Sequence, residues 1–519
     1  MGGSLSADNL NPMSENKGFY ISDVNKSYEI KYKIPRYEIL EDHESGYGYK
    51  KLFFKNSSNT DGLNQEKIPS HSTYFAVHSG HKYSAELNII KSDTLKNIKM
   101  RTSDQSKYIS KELINSNVNY DEILSDSSRP ISVSEPIIFR DLTLVQVTIR
   151  PFHYIKQKDE LLIIKDASIN LVETSEHEYS PVPSLRSRAF EPIYKSIVSN
   201  YHLLERNSID YQRPSILYVL PSNIGNMFSI VESLMNWKKR IGYEVNYVSS
   251  SNIVNNQNNL KNYIQTAYET WANPPEYVTI VGDAEGNYDI PTWRENWTEY
   301  NGEGDNPYSL LAGNDQYPEV FLGRISFDTQ SDLQTQIGKI MMYESTPYMG
   351  ENWFQRACLT GDPTTSGISC IITNEYINEI MNIAGFNDVN TIYSGSFSNQ
   401  MVSGISEGVS FFNYRGFWGV SGFDSDNLNQ TTNGFMLPIA TVITCGTGSF
   451  ASEESLSEAF TRAGTVSNPK GAVACIGTAT IGTHTMFNNI VDMGFYYGVL
   501  MQGIETAGAA LAYGKLMLH

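Results

Sequence analysis

The group in this sequence best placed to break a bond is the thiol of Cys445. The segment 442–450 reads VITCGTGSF, an apolar run that stops at the cysteine and is followed by Gly446 and Gly448. A thiolate nucleophile needs partial exposure, a base within reach and donors for the developing oxyanion. A glycine turn directly after a strand would leave the N–H groups of Gly446 and Thr447 free to face that oxyanion. The commoner fate of a cysteine is a small buried core position, and the pattern alone leaves both readings open. Cys475 in GAVACIG and Cys358 in RACLTGD read as core residues. With Cys370 they make four cysteines, an even number that permits disulfides. A domain of this size does not need them. The absence of CxxC spacing argues against zinc.

A base for Cys445 can be sought by elimination. Of the nine histidines, seven precede residue 214 and His519 is the last residue, which leaves His484 in TATIGTHTMFNN. That loop follows the strand-like GAVACIG, which comes next after the Cys445 strand, and consecutive strands often pair. His484 is therefore the candidate acid/base; a loop histidine bonded to local backbone is the alternative. Asp283, Glu285, Asp289 and Asp315 lie in loops. Carboxylates there can hold calcium or orient substrate, or bond local N–H groups and cap helices. Arg324 is expected to pair with one of them.

The elements that would position these groups change character near residue 214. Before it, segments such as YEIKYKIPRYEIL, YFAVHSG and DELLIIKDASINLVE alternate with period two and are rich in β-branched and aromatic residues. They predict antiparallel strands, and a sandwich is the expected arrangement. SDTLKNIKM and YDEIL are read as short helices. Residues 1–18 are polar and glycine-rich, expected to be flexible and not a signal peptide. The β-rich region spans 19–180. A linker follows at 181–213, rich in proline, serine and arginine. From 214 to 519 strands alternate with helices, which predicts a mostly parallel sheet with helices on both faces. SDLQTQIGKIMMYES is read as a helix opened by a capping box of Ser331 and Gln334. In such sheets ligands bind beyond the carboxyl ends of the strands. That rule weights Asp283, Asp362, Gly416, Cys445 and the segment after Gly477. The C-terminal helix stops without a cap, so more protein is expected to follow.

At 519 residues the chain is too long for one core. Hydrophobic residues are 40% and charged residues 18% of it, as expected of a folded globular protein. A net charge of −18 gives no footprint for nucleic acid or an anionic membrane. No run of about 18 apolar residues is present to span a bilayer.

The region from 214 onward resembles the gingipain-type (family C25) cysteine peptidases. The blocks YVTIVGDAEGNYDIPTW, YSLLAGNDQYPEVFLGRISFDTQSDLQTQIGKIMMYE, GVSFFNYRG, VITCGTGSFASEESLSEAFTRAG and KGAVACIGTATIGTH match in order, the second and fourth most specifically. The resemblance implies an α/β caspase-like fold preceded by a β-rich domain. It places the family's nucleophile at Cys445, beside the turn whose Gly446 N–H is the candidate oxyanion donor. VSEPIIFRDLTLVQVTIRPFHYI in the β-rich region resembles the family's pro-domain, which covers the active site until it is cleaved, and Arg186 and Arg188 are candidate processing points. Active members carry their histidine in Asn-Tyr-x-Gly-His-Gly. Here the strand end reads Asn413-Tyr414-Arg415-Gly416-Phe417-Trp418-Gly419. A phenylalanine cannot accept a proton, so the base must come from elsewhere, with His484 as the candidate. Asp362 would be the counterpart of the family's orienting carboxylate.

Two functions remain in competition. One is a cysteine endopeptidase or transpeptidase acting through a thioester on Cys445. The other is a catalytically inactive module that binds peptides or serves adhesion or assembly. The resemblance further implies protein or peptide substrates, no required cofactor, a structural calcium at most, and a secreted or surface protein delivered by type IX secretion machinery.

Overall fold

The computed structural model describes residues 18–21, 28–41, 48–54, 58–59, 68–100, 129–155, 158–176, 185–204, 211–297, 300–451, 453–479 and 482–518. It divides into two compact units, residues 1–181 with 194–207, and residues 182–193 with 208–519. The expected flexible start and the segment YDEIL lie outside the described residues.

The first unit is β-rich. Glu160–Glu176 runs antiparallel to Glu29–Lys33, Phe152–Ile155 and His81–Lys96, and Phe19–Ile21 adds to Glu29–Lys33. Leu142–Ile149 organises a second sheet with Pro69–Val77, Ile137–Phe139 and Ile131–Val133. The alternation seen in the sequence sets the burial. Ile30 and Tyr32 point inward from the first sheet, Phe75, Val145 and Val147 from the second, and all share one cluster. That is the packing of a sandwich. SDTLKNIKM is not a helix. It completes the strand His81–Lys96, turns at Asn97 with φ 58° and enters the strand Lys99–Met100. Pairing with Glu160–Glu176 and packing of Leu95 and Ile98 near Leu161 and Ile163 outweigh a weak local helix propensity.

The segment expected as a linker carries the helix Glu191–Ile197. Phe190 stacks on Phe321 with ring centroids 4.2 Å apart. Arg186 O accepts from Gln212 N–H at 2.9 Å, and the Arg188 guanidinium lies 4.6 Å over the Tyr211 ring.

In the second unit the strand–helix alternation is carried by two parallel sheets. The first contains β1 (Ser215–Val219), β2 (Glu244–Val248), β3 (Tyr277–Val281) and β4 (Phe321–Ile325) in the order β2-β1-β3-β4. Helices α1 (Phe228–Arg240) and α3 (Gln330–Ser345) cover one face, and α2 (Gln257–Thr270) covers the other. The second sheet contains β5 (Arg356–Gly361), β6 (Asp388–Ile392), β7 (Phe411–Arg415), β8 (Ile439–Cys445) and β9 (Ala474–Thr478) in the order β6-β5-β7-β8-β9. The chain leaves β5 toward β6 and returns on the opposite side as β7. The crevice at such a reversal is the usual ligand position of an open parallel sheet.

The capping box of α3 is Thr329 with Asp332, two residues before the expected pair. Thr329 has the extended backbone a cap requires, whereas Ser331 is already inside the first turn. Further along α3, Lys339 is buried and donates to Thr461 O (2.7 Å), Phe460 O (3.3 Å) and Ala472 O (3.3 Å). The first two carbonyls end the helix α6 (Leu456–Arg462), where a cation suits the helix dipole.

Burial pushes the Lys339 ammonium down to about 7. Below that pH it is charged folded and unfolded. Above it the unfolded chain holds the extra proton, so its contribution to stability rises with pH. Between pH 7 and 10 the rise is at most about 4 kcal/mol. Urea unfolding at several pH values should show Lys339→Met lacking this rise relative to the parent chain. Parallel pH dependence of the two chains would refute the assignment.

Candidate active site

The second sheet has one apolar and one polar face. Phe412, Tyr414, Ala440 and Val442 pack with Met401 and Ile405 of α5 (Phe397–Ser406) and with Phe460 of α6. The alternate residues face α4 (Ser369–Ile383) and α7 (Thr485–Met501). Asn413 Nδ2 donates to Asn374 Oδ1 (3.1 Å) and Asp492 Oδ2 (2.9 Å). Thr441 Oγ1 donates to Asn413 Oδ1 at 2.6 Å and lies 2.7 Å from the Tyr496 hydroxyl. Arg415, wholly buried, donates from Nε (2.9 Å) and Nη2 (2.7 Å) to Asn489 Oδ1. Nη2 also reaches Thr485 O at 3.4 Å. Its Nε stands 3.9 Å from Asp492 Oδ2. Neither Arg415 Nη1 nor Asp492 Oδ1 has a partner among the described residues. Burial pushes the Asp492 carboxyl up to about 7, against the opposing pull of Arg415 and Asn413.

Cys445 closes β8 and is 7% exposed. The turn after it is fixed by backbone and by glycine. Gly446 has φ 78°, which favours glycine, and a Cβ on Gly448 would come within 2.8 Å of Gly477 C. Thr447 Oγ1 donates to Thr444 O (2.8 Å) and accepts from Thr478 N–H (3.1 Å). Thr447 N–H and Gly448 N–H are committed to Thr444 O (3.3 Å) and Thr478 O (3.1 Å). Thr447 is therefore not free for an oxyanion, and Gly446 N–H is the candidate donor at this turn. The loop beyond is held from the first sheet's side. Arg294 donates to Ala451 O at 2.5 Å, and Ala451 N–H donates to Glu303 Oε1 at 3.1 Å. Both residues belong to the hairpin of strands Trp293–Trp297 and Tyr300–Gly304.

The thiol meets Thr483, with Sγ 3.4 Å from Thr483 Oγ1 and 3.7 Å from Thr483 O. Thr483 Oγ1 accepts from Asn488 Nδ2 at 2.9 Å, so its own proton is available to the sulfur. His484, the next residue, is the N-cap of α7. Its ring is exposed, and Nδ1 accepts from Met486 N–H at 3.1 Å. With Nδ1 accepting, Nε2 carries the proton of the neutral ring.

Asp362 follows β5 at the strand reversal, and its N–H donates to Arg415 O at 2.8 Å. Its carboxylate accepts from Thr364 N–H (2.9 Å), Thr364 Oγ1 (2.6 Å) and Ser421 Oγ, which in turn lies 2.9 Å from the Tyr414 hydroxyl. Burial pulls this carboxyl up, but the Ser421 and Thr364 donors prevail and hold it below its usual range. Phe417 and Trp418 are each 56% exposed. Trp418 forms a parallel bridge with Cys445, and its indole lies 3.6 Å from where a Gly446 Cβ would be.

The remaining cysteines are free thiols. Burial pushes Cys358 up to about 12. Arg324 pairs with Asp305 through two bonds of 2.7 Å, not with the loop carboxylates expected from the sequence. Asp305 was missed because it sits outside those loops, beside the start of the short turn Asn306–Tyr308. Asp283 pairs with Arg462, Glu285 with Arg294, and Asp315 accepts from Tyr317 N–H. Among the described residues no group of three or more His, Cys, Asp or Glu side chains could hold a metal ion. No helix among them is long and apolar enough to cross a membrane.

Residues 209–519 match the model of peptidase family C25. Gingipain R2 of Porphyromonas gingivalis is 26% identical over 364 residues, covering 67% of this chain and 48% of the relative. Gingipain R1 of the same species is 26% identical over 362 residues, covering 67% and 36%. The chain thus spans about half the length, or less, of these curated relatives. The crystal structure of the Arg-specific cysteine proteinase gingipain R superposes with a TM-score of 0.52 at 25% identity, over 59% of this chain and 72% of that one. A complex of the RgpB pro- and mature domains of Porphyromonas gingivalis gives 0.52 at 24% identity, over 59% and 74%.

Proposed function

The chain belongs to peptidase family C25, and from that premise we propose that its caspase-like unit cleaves peptide bonds through a thioester on Cys445. The observation that carries the reading is the placement of this thiol at a strand end, beside a glycine turn and the hydroxyl of Thr483. Attack of the sulfur on a carbonyl carbon puts negative charge on the carbonyl oxygen, where Gly446 N–H would receive it. Collapse expels the amine, which must gain a proton, and water or a second amine releases the acyl group. Water makes the protein a hydrolase; an amine makes it a transpeptidase.

His484 is the acid/base of this proposal. To take the thiol proton at Nε2, the ring must carry its other proton on Nδ1, and Met486 N–H then loses its acceptor. Base catalysis therefore costs one helix cap, about 1 kcal/mol, a small sum against a chemical barrier. Asp362, bound by Ser421 and Thr364, fixes the strand end that carries Tyr414. Family membership supports protein or peptide substrates; secretion by the type IX route and a pro-domain role for the β-rich unit are part of the same proposal.

The second reading, a binding module without turnover, draws on the exposed Phe417 and Trp418 beside Cys445. The test is to incubate the full chain with a denatured-peptide library and read new termini by mass spectrometry. New termini that are missing with Cys445→Ala support the peptidase. No new termini from any sequence, while the thiol still reacts with iodoacetamide, would leave the binding module.

A further inference from the structure

The buried guanidinium of Arg415 has no role in the mechanism above, and its setting is unusual. It is a permanent cation with no exposed surface. Two of its nitrogens are bonded to neutral oxygens on α7, and Nη1 has no partner among the described residues. Its ion-pair partner, Asp492, stands 3.9 Å away. Burial holds that carboxyl near neutrality, so around pH 7 it is only partly ionised. An uncompensated buried cation is expensive, and a second anion nearby would offset that cost.

The thiol of Cys445 is on the same polar layer. Arg415 ends β7 and Cys445 ends the adjacent, parallel β8. Both are docked on the start of α7, Arg415 through Asn489 and Thr485 O, Cys445 through Thr483 and Asn488. A helix N-terminus also favours an anion there. The titratable groups that act electrostatically on Arg415 are Asp492 from α7, Cys370 from α4, Cys445 from β8 and Tyr414, which points to the other side of the strand it shares with Arg415. Cys370 and Tyr414 are both pushed upward by burial and stay neutral near pH 7. That leaves Asp492 and Cys445 as the two groups that can present an anion to the guanidinium.

We propose that Arg415 is a positioning residue whose buried charge stabilises the Cys445 thiolate that forms when the thiol proton passes to His484. The inference deepens the reading of Cys445 as nucleophile and rests on it. Asp492 acts as the competing anion: as it ionises it draws on the same guanidinium and weakens the hold on the sulfur.

The experiment is the rate of iodoacetamide alkylation at Cys445 of the full chain against pH, read by peptide mass spectrometry. Alkylation needs no turnover, so a chain that cleaves nothing still tests Arg415. Arg415→Met should move the profile at least one pH unit higher than the parent, which is about tenfold slower labelling on its rising limb. Arg415→Lys, which keeps the charge, should restore most of the rate. Asp492→Asn removes the competitor and should move the profile the opposite way. A purely structural role would move Arg415→Met and Asp492→Asn in the same direction, because each would loosen the same layer. If Arg415→Met does not fold, the shift of Asp492→Asn to lower pH, with Arg415→Lys staying near the parent, carries the test. Profiles that coincide with the parent for both of those variants, or an Asp492→Asn profile displaced to higher pH, would overturn the proposal.

Discussion

Cys445→Ala should lower peptide cleavage at least about a thousandfold, because a covalent route loses its nucleophile outright and only binding and the oxyanion donor remain. The loss should appear in kcat and not in KM, since the methyl replaces a largely buried thiol without opening the site. Among the described residues the sulfur is hydrogen-bonded to Thr483 alone. His484→Ala is the informative comparison. As acid/base it should cost about 10²–10⁴ in rate, with about 1 kcal/mol of stability from the lost cap. Peptide cleavage and unfolding, measured on both variants, separate the two effects. A His484→Ala chain that loses only stability would show that the histidine is a cap and nothing more.

Arg462→Ala should destabilise the α/β unit by about 3–5 kcal/mol. Arg462 ends α6 and reaches Asp283 (2.8 Å), Asp328 (2.8 Å), Glu458 (3.0 Å) and Ser326 Oγ (2.8 Å). Asp283 follows β3, and Ser326 and Asp328 follow β4, so one guanidinium joins the ends of the first sheet to a helix of the second. Removing it leaves Asp283 and Glu458 buried without a cation. Burial already pushes the Glu458 carboxyl up, against the pull of Arg462. In the variant that carboxyl rises further and takes up a proton as pH falls. The destabilisation should therefore shrink between neutral pH and about pH 5. Urea unfolding of parent and variant at two pH values checks both claims, and a loss below 1 kcal/mol at neutral pH would rule out a joint between the sheets.

Where hydrophobic periodicity is strong, the sequence was legible. The segments SILYVLPS, EYVTIVGD and IATVITCGT became β1, β3 and β8, because buried parallel strands need continuous apolar runs. Their division between two sheets was not legible, since each run satisfies either partner. SDTLKNIKM failed because its structure is set by a strand distant in sequence. Cys445 and its turn stood out by composition, but the layer beneath did not. Its signal was present as Asn413 and Arg415 alternating in an aromatic strand, and as Asn488 and Asp492 four apart in an otherwise apolar helix. Polar residues at strand and helix spacing on apolar elements mark a buried network, whereas a search confined to strand ends passes over them.

The contacts of the hairpin Trp293–Gly304 with Ala451 set a limit on how this protein can be shortened. A fragment beginning after α3 would keep Cys445, His484 and every strand of the second sheet. It would lack Arg294 and Glu303, which tether the loop behind the nucleophile, and Lys339, which closes the end of α6. Such a truncation carries all the residues of the chemistry without the frame that holds them. The smallest useful expression product therefore begins ahead of β1, and the first sheet is as much a part of any minimal folded unit as the strand that bears the thiol.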